Sequence, residues 1–101
     1  MTDNEPFRIK SQEGKTLIRM LEDVLKGKIL DGFLEKFEDA RDTFFDCLDD
    51  EEAEALDEAF FLLSLYEPDE KIYEAERRQG VLNGKETLQA VEKLLKKIVV
   101  E

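Results

Sequence analysis

The stretch that decides the fold is DDEEAEALDEAFFLLSLYEP, Asp49 to Pro68. Asp49 with Glu52 is the Asx form of a capping box, and acids in a first turn complement the positive end of a helix. The Asp49-Asp50-Glu51-Glu52 cluster therefore reads as a helix start and not as a metal site. A calcium loop needs alternating oxygen ligands, a central glycine and a terminal Glu at fixed spacing, and the sequence holds no such loop. Ala53, Leu56, Ala59, Phe60 and Leu63 then recur at helical spacing and predict a buried stripe on a helix from Asp50 to about Tyr66. Phe61, Leu62 and Leu65 widen that stripe, which predicts contact on two sides. Pro68 ends the helix, because its ring clashes with the preceding turn and biases Glu67 away from helical angles.

Upstream, Leu17, Ile18, Leu21, Val24 and Leu25 form the stripe of a helix from about Glu13 to Gly27, where a left-handed glycine is the expected terminator. Asp31 is the expected N-cap of a second helix, carrying Phe33, Leu34, Phe37, Arg41, Phe44, Phe45 and Leu48 inward. Glu35, Glu38, Asp39, Asp42 and Asp46 form its acidic outer face. Residues 67–82 show no steady stripe and predict an irregular loop, of the kind in which binding residues concentrate. Asn83 with Glu86 is a second capping-box signature, opening a last helix with Leu88, Val91, Leu94, Leu95 and Ile98. The expected fold is all-α: an antiparallel four-helix bundle over residues 13–98, with an irregular loop before the last helix. Met1 to Lys10 lacks periodicity and reads as a loose arm of the same single domain, pinned at most by Phe7 or Ile9.

Composition narrows the function. With 42% hydrophobic residues in 101, the chain has material for one core. There is no histidine, which removes the usual general base at neutral pH and the commonest metal ligand. Cys47 is the single cysteine and reads as a buried thiol, so neither an internal disulfide nor a Cys-type metal site is available. The glycines do not form a phosphate-binding loop, and Ser11 and Ser64 lack a histidine partner. The chain is expected not to be an enzyme and to need no metal or cofactor. Met1 to Glu13 does not read as a secretory signal, and no apolar run approaches the roughly 18 residues of a membrane span; a soluble, cytoplasmic protein is expected.

The net charge of −11 is unevenly placed. Residues 31–76 hold eighteen acidic and three basic side chains, whereas the flanking segments are each mildly basic. Nucleic acid and anionic membranes are poor partners for such a surface. A basic protein is the natural partner; no oligomeric state is read from the sequence.

Several features stand in a familiar order: a helix ending Leu25-Lys26-Gly27-Lys28-Ile29, a helix opening at Phe33, Phe60–Leu65 running into Tyr66-Glu67-Pro68-Asp69, then Ile72-Tyr73-Glu74 and a closing helix with Leu88, Val91, Leu94 and Leu95. Over residues 17–98 the chain resembles the colicin D immunity protein family, which includes proteins of contact-dependent inhibition systems. The resemblance implies a small acidic four-helix bundle that binds the C-terminal ribonuclease domain of a cognate toxin, a tRNase, and plugs its basic active site. It marks Glu67 and Asp69 as partner-binding residues; Glu70 and Glu74 join them on charge. The chain departs from the family in its longer N-terminal arm and its denser acidic run from Asp46 to Glu58. The alternative reading is an acidic helical interaction module, or a nucleic-acid mimic, bound to an unrelated basic protein.

Overall fold

A computed structural model describes residues 6–28 and 30–101. Among these residues the chain is mostly helical: α1 (Gln12–Gly27), α2 (Phe33–Phe44), α3 (Asp50–Ser64), α4 (Glu70–Glu76) and α5 (Gly84–Leu95). Single turns of 3-10 helix follow α2 at Phe45–Cys47 and α4 at Arg77–Gln79. Two short strands, β1 (Phe7–Ile9) and β2 (Ile98–Val100), pair in parallel, with Phe7 opposite Ile98 and Ile9 opposite Val100.

The helix starts follow from local chemistry. Asp49 Oδ1 accepts from the Glu52 amide at 2.8 Å while Glu52 Oε1 accepts from the Asp49 amide at 3.0 Å, the reciprocal capping box expected of α3. Asn83 and Glu86 repeat the arrangement at α5. Ser11 caps α1 through its hydroxyl, which accepts from Gly14 N. Two expected caps are corrected. Gly32, at φ 72°, and not Asp31, precedes α2, and it offers no side-chain cap. The left-handed residue that ends α1 is Lys28, at φ 57° and ψ 26°, while Gly27 remains the last helical residue.

The core closes where the apolar stripes meet. Leu17 and Leu21 of α1, Phe37 of α2, Leu56 and Ala59 of α3 and Val91 of α5 are fully buried in one cluster, and complete burial of a Leu or Phe side chain contributes about 1.5–3 kcal/mol. α1 packs against α2 and α5, and α3 packs against the same two helices. The buried stripe of α3 runs through Ala55, Leu56, Ala59 and Leu63 rather than through Ala53 and Phe60, which are half-buried. The Arg41 guanidinium lies 4.3 Å above the Phe60 ring and 2.7 Å from Asp57, roofing the part of the ring that the core leaves open. Phe61 is 59% exposed, so the expected second contact side of α3 is not formed at that residue. Cys47 is exposed, not buried.

Three departures concern the chain ends and the segment before the last helix. The expected irregular loop holds α4, a fifth helix, so the four-helix count is corrected. Ile98 belongs to β2 and not to the last helix. The first five residues of the expected loose arm lie outside the described residues, but Phe7–Ile9 is a strand and Ile9 is fully buried.

What fastens that strand is a carboxylate. Glu52 Oε2 accepts from Lys10 N at 2.8 Å, Ser11 N at 2.8 Å and Ser11 Oγ at 3.0 Å, and Glu51 Oε2 accepts from Arg8 N at 2.9 Å. The first turn of α3 thus satisfies the edge of β1 that faces away from β2, where unpaired amides would otherwise be a liability.

Candidate functional site

The Tyr66-Glu67-Pro68-Asp69 corner forms because α3 cannot continue through Pro68. Its base is closed by backbone bonds: Glu67 N donates to Leu82 O at 2.8 Å and Leu82 N donates to Leu65 O at 2.7 Å, with Tyr66 and Leu82 forming an isolated parallel bridge. Residues 67–82 therefore leave and re-enter the body of the protein at adjacent points. Inside this excursion Asp69 is the N-cap of α4: its Oδ1 accepts from Lys71 N at 2.9 Å and Ile72 N at 3.2 Å. Glu67 Oε2 in turn accepts from Asp69 N at 3.1 Å.

A buried tyrosine fixes α4 against α5. The Tyr73 hydroxyl donates to Glu86 Oε1 at 2.8 Å, and the same oxygen accepts from Asn83 N at 3.1 Å. One carboxylate therefore serves as α5 capping partner and as α4 anchor. The bond to Glu86 raises the Tyr73 pKa, with burial adding to it, because ionising the phenol would remove the donor beside a carboxylate. Glu86 is shifted down by the hydrogen bond from Tyr73 first and by that from Asn83 second.

Glu67, Glu70 and Glu74 line one cleft of about 360 Å³ together with Tyr66, Tyr73 and Asn83. Glu70 and Glu74 are exposed one helical turn apart, and Glu67 is half-buried. Glu74 lies 3.7 Å from Arg77, an exposed pair of little energetic weight. Of the four residues expected to bind a partner, Glu67, Glu70 and Glu74 are brought together. Asp69 does not line this cleft, and its carboxylate is engaged on two α4 amides.

Three carboxylates suit an ammonium or guanidinium group; the Arg77 guanidinium, 5.8 Å over the Tyr73 ring and 3.7 Å from Glu74, already takes such a place at one side, which leaves Glu67, Glu70 and the Tyr66 ring to an incoming cation. Among the described residues no group of three or more His, Cys, Asp or Glu side chains is placed to hold a metal ion. No described helix is long and apolar enough to cross a membrane. Tyr73 and Glu86, which position the cleft, were not among the expected site residues. The signal for Glu86 is its place in a capping box, and that for Tyr73 its place in the Ile72-Tyr73-Glu74 element of the family resemblance. No protein-family model, curated protein or solved structure matches the chain.

Proposed function

We propose that this chain is an immunity protein of the colicin D type, which neutralises a cognate bacterial nuclease toxin, a tRNase, by laying an acidic surface over its basic active site in the cytoplasm. The observation that carries the proposal is the joint presentation of Glu67, Glu70 and Glu74 on one cleft, within the segment that holds eighteen acids and three bases. A nuclease site must hold phosphates with Lys and Arg, and fixed carboxylates compete for the same groups. Charge complementarity also speeds encounter, which matters for a toxin that must be caught before it acts. The packing of α1 on α2 and α5, and of α3 on the same pair, supports a core of four-helix-bundle type to which α4 is an addition. In this reading the chain binds neither nucleic acid nor membrane, and performs no catalysis itself.

Co-expression tests it. A nuclease toxin gene is expected directly upstream; the C-terminal domain of that gene's product is produced in cells together with the chain, and survival is scored. Full protection by the native chain, and its loss in the Glu70→Lys, Glu74→Lys double variant, is the expected result. Protection undiminished by the double variant would move the contact away from α4. Death of cells carrying the native chain would remove the immunity reading and leave a general basic-protein binding module.

A further inference from the structure

We infer that the partner-binding surface has two parts, and that an apolar side chain of the basic partner anchors in a groove adjoining the acidic cleft; this rests on the reading of that cleft given above. The groove, about 660 Å³, runs between the C-terminal end of α1 and the start of α5; Leu25, Leu30, Leu88 and Tyr66 give it an apolar lining, and the exposed Lys28, Lys85 and Glu92 a charged one of mixed sign. Tyr66 and Gly84 line both the groove and the acidic cleft. The two hollows therefore adjoin at Tyr66 and Gly84.

That combination has the anatomy of an interface. Stable complexes centre on a few large side chains seated in desolvated apolar pockets, while surrounding charges steer and orient. A purely acidic surface would give fast encounter and little residence, because exposed ion pairs each contribute little. The groove supplies what the acids lack. The lining also sets direction: the acidic cleft holds Glu67, Glu70 and Glu74 with no basic residue, whereas the groove mixes Lys28 and Lys85 with Glu92, so the partner's positive charge lies over the cleft and its apolar group over the groove. The occupant fitting this surface is a folded protein with a basic patch beside an exposed leucine-like or aromatic side chain.

Two peptides separate the parts. Acetyl-Leu-Gly-Gly-Arg-Arg-amide and acetyl-Gly-Gly-Gly-Arg-Arg-amide are titrated at low salt into the full chain, observing backbone amides and leucine methyl groups by NMR. Both peptides are expected to shift the amides of Glu70 and Glu74, and only the first to shift the methyl groups of Leu25, Leu30 and Leu88, binding roughly fivefold tighter through partial burial of its leucine. Equal affinities with silent groove methyls would overturn the inference and leave the acidic cleft standing. Silence of the α4 amides towards both peptides would overturn the cleft and, with it, the two-part surface. Gly84→Leu gives a second check, since a Cβ there meets Tyr66 and Leu30 at ordinary contact distances of 3.7 and 3.9 Å. It should leave both peptides shifting the Glu70 and Glu74 amides and erase the difference between their affinities; a preserved difference would place the leucine outside the groove.

Discussion

Glu52 is the residue on which the N-terminal strand depends. Its side chain is 1% exposed, yet every hydrogen bond it makes is to a donor, four in all: Lys10 N, Ser11 N, Ser11 Oγ and Asp49 N. Burial alone would raise its pKa, but the bonds from Ser11, Asp49 and Lys10 outweigh burial and hold it below the ordinary 4.5. The sign follows from linkage: a carboxyl depressed in the folded state stabilises fully above pH 4.5, and that contribution is lost as the pH falls through the lower folded-state value. Glu52→Gln must turn an amide NH2 towards one of these donors, and it should destabilise by about 3 kcal/mol at neutral pH. Its melting temperature should also fall less steeply than that of the native chain below pH 4.5; parallel acid profiles would show that Glu52 is not the group titrating. Gly14 answers the same carboxylate. A Cβ there would stand 2.8 Å from Glu52 Oε2 and 2.9 Å from Ile9 Cγ2, so Gly14→Ala should destabilise despite the better helix propensity of alanine, by about 1–3 kcal/mol. Lys28 is the opposite case: a left-handed residue with a side chain, where Lys28→Gly should raise stability by about 1 kcal/mol in denaturant melts.

At the scale of elements, α4 decides how the surface is presented, and its seven residues cannot hold a helix alone. It stands because Asp69 caps one end and Tyr73 ties its face to Glu86. Tyr73→Phe should therefore speed amide exchange across Glu70–Glu76 while Leu17, Leu56 and Val91 stay protected; uniform exchange in both variant and native chain would show that the hydroxyl is dispensable. In the native chain the raised phenol pKa makes this tie complete below the usual tyrosine value of 10.0 and lost as pH rises through the higher folded-state value. The Asp69 cap also changes how charge reversal is read: Asp69→Lys would weaken partner binding by loosening α4 even if the carboxylate touched nothing outside the chain. Glu70 and Glu74 are the cleaner probes. Both capping boxes and the α1 and α5 stripes are legible, because capping and apolar periodicity are local; the α3 stripe is legible only at Leu56, Ala59 and Leu63, and Phe45, expected on the second helix's inner face, is 58% exposed in the turn after α2. Helix α4 was not legible, since its apolar residues reduce to Ile72, Tyr73 and Ala75 and its support comes from Glu86, thirteen positions beyond Tyr73. The β1–β2 pair was hidden for the same reason, as it joins residues some ninety positions apart and is secured by Glu51 and Glu52 of a helix between them. The Asp49–Glu52 signature marks the cap that α3 has, but it says nothing of the second use to which Glu52 Oε2 is put.

For the whole molecule, the acidic excess should oppose folding while favouring association, and salt separates the two effects. Among the described residues the acids of segment 31–76 that form ion pairs are Asp42, Asp57 and Glu74. The remaining carboxylates there have no ion-pair partner among the described residues, in a body whose extents are 40 × 33 × 22 Å. The Debye length is about 30 Å at 0.01 M salt, so at that concentration most of these charges repel across the whole molecule; near 0.15 M it is about 8 Å, and only neighbours are felt. Raising NaCl from 0.01 to 0.5 M at pH 7 should therefore increase the melting temperature of the free chain, while the affinity for a basic partner falls. A melting temperature that dropped with salt would mean that the ion pairs of Arg8, Arg41 and Arg77 outweigh the repulsion. The Glu70→Gln, Glu74→Gln variant sharpens the test. If these acids serve a partner and not the fold, neutralising them should raise the low-salt melting temperature, flatten its salt dependence and at the same time reduce protection in the co-expression assay. A variant that lost stability together with protection would instead place Glu70 and Glu74 in the architecture of α4.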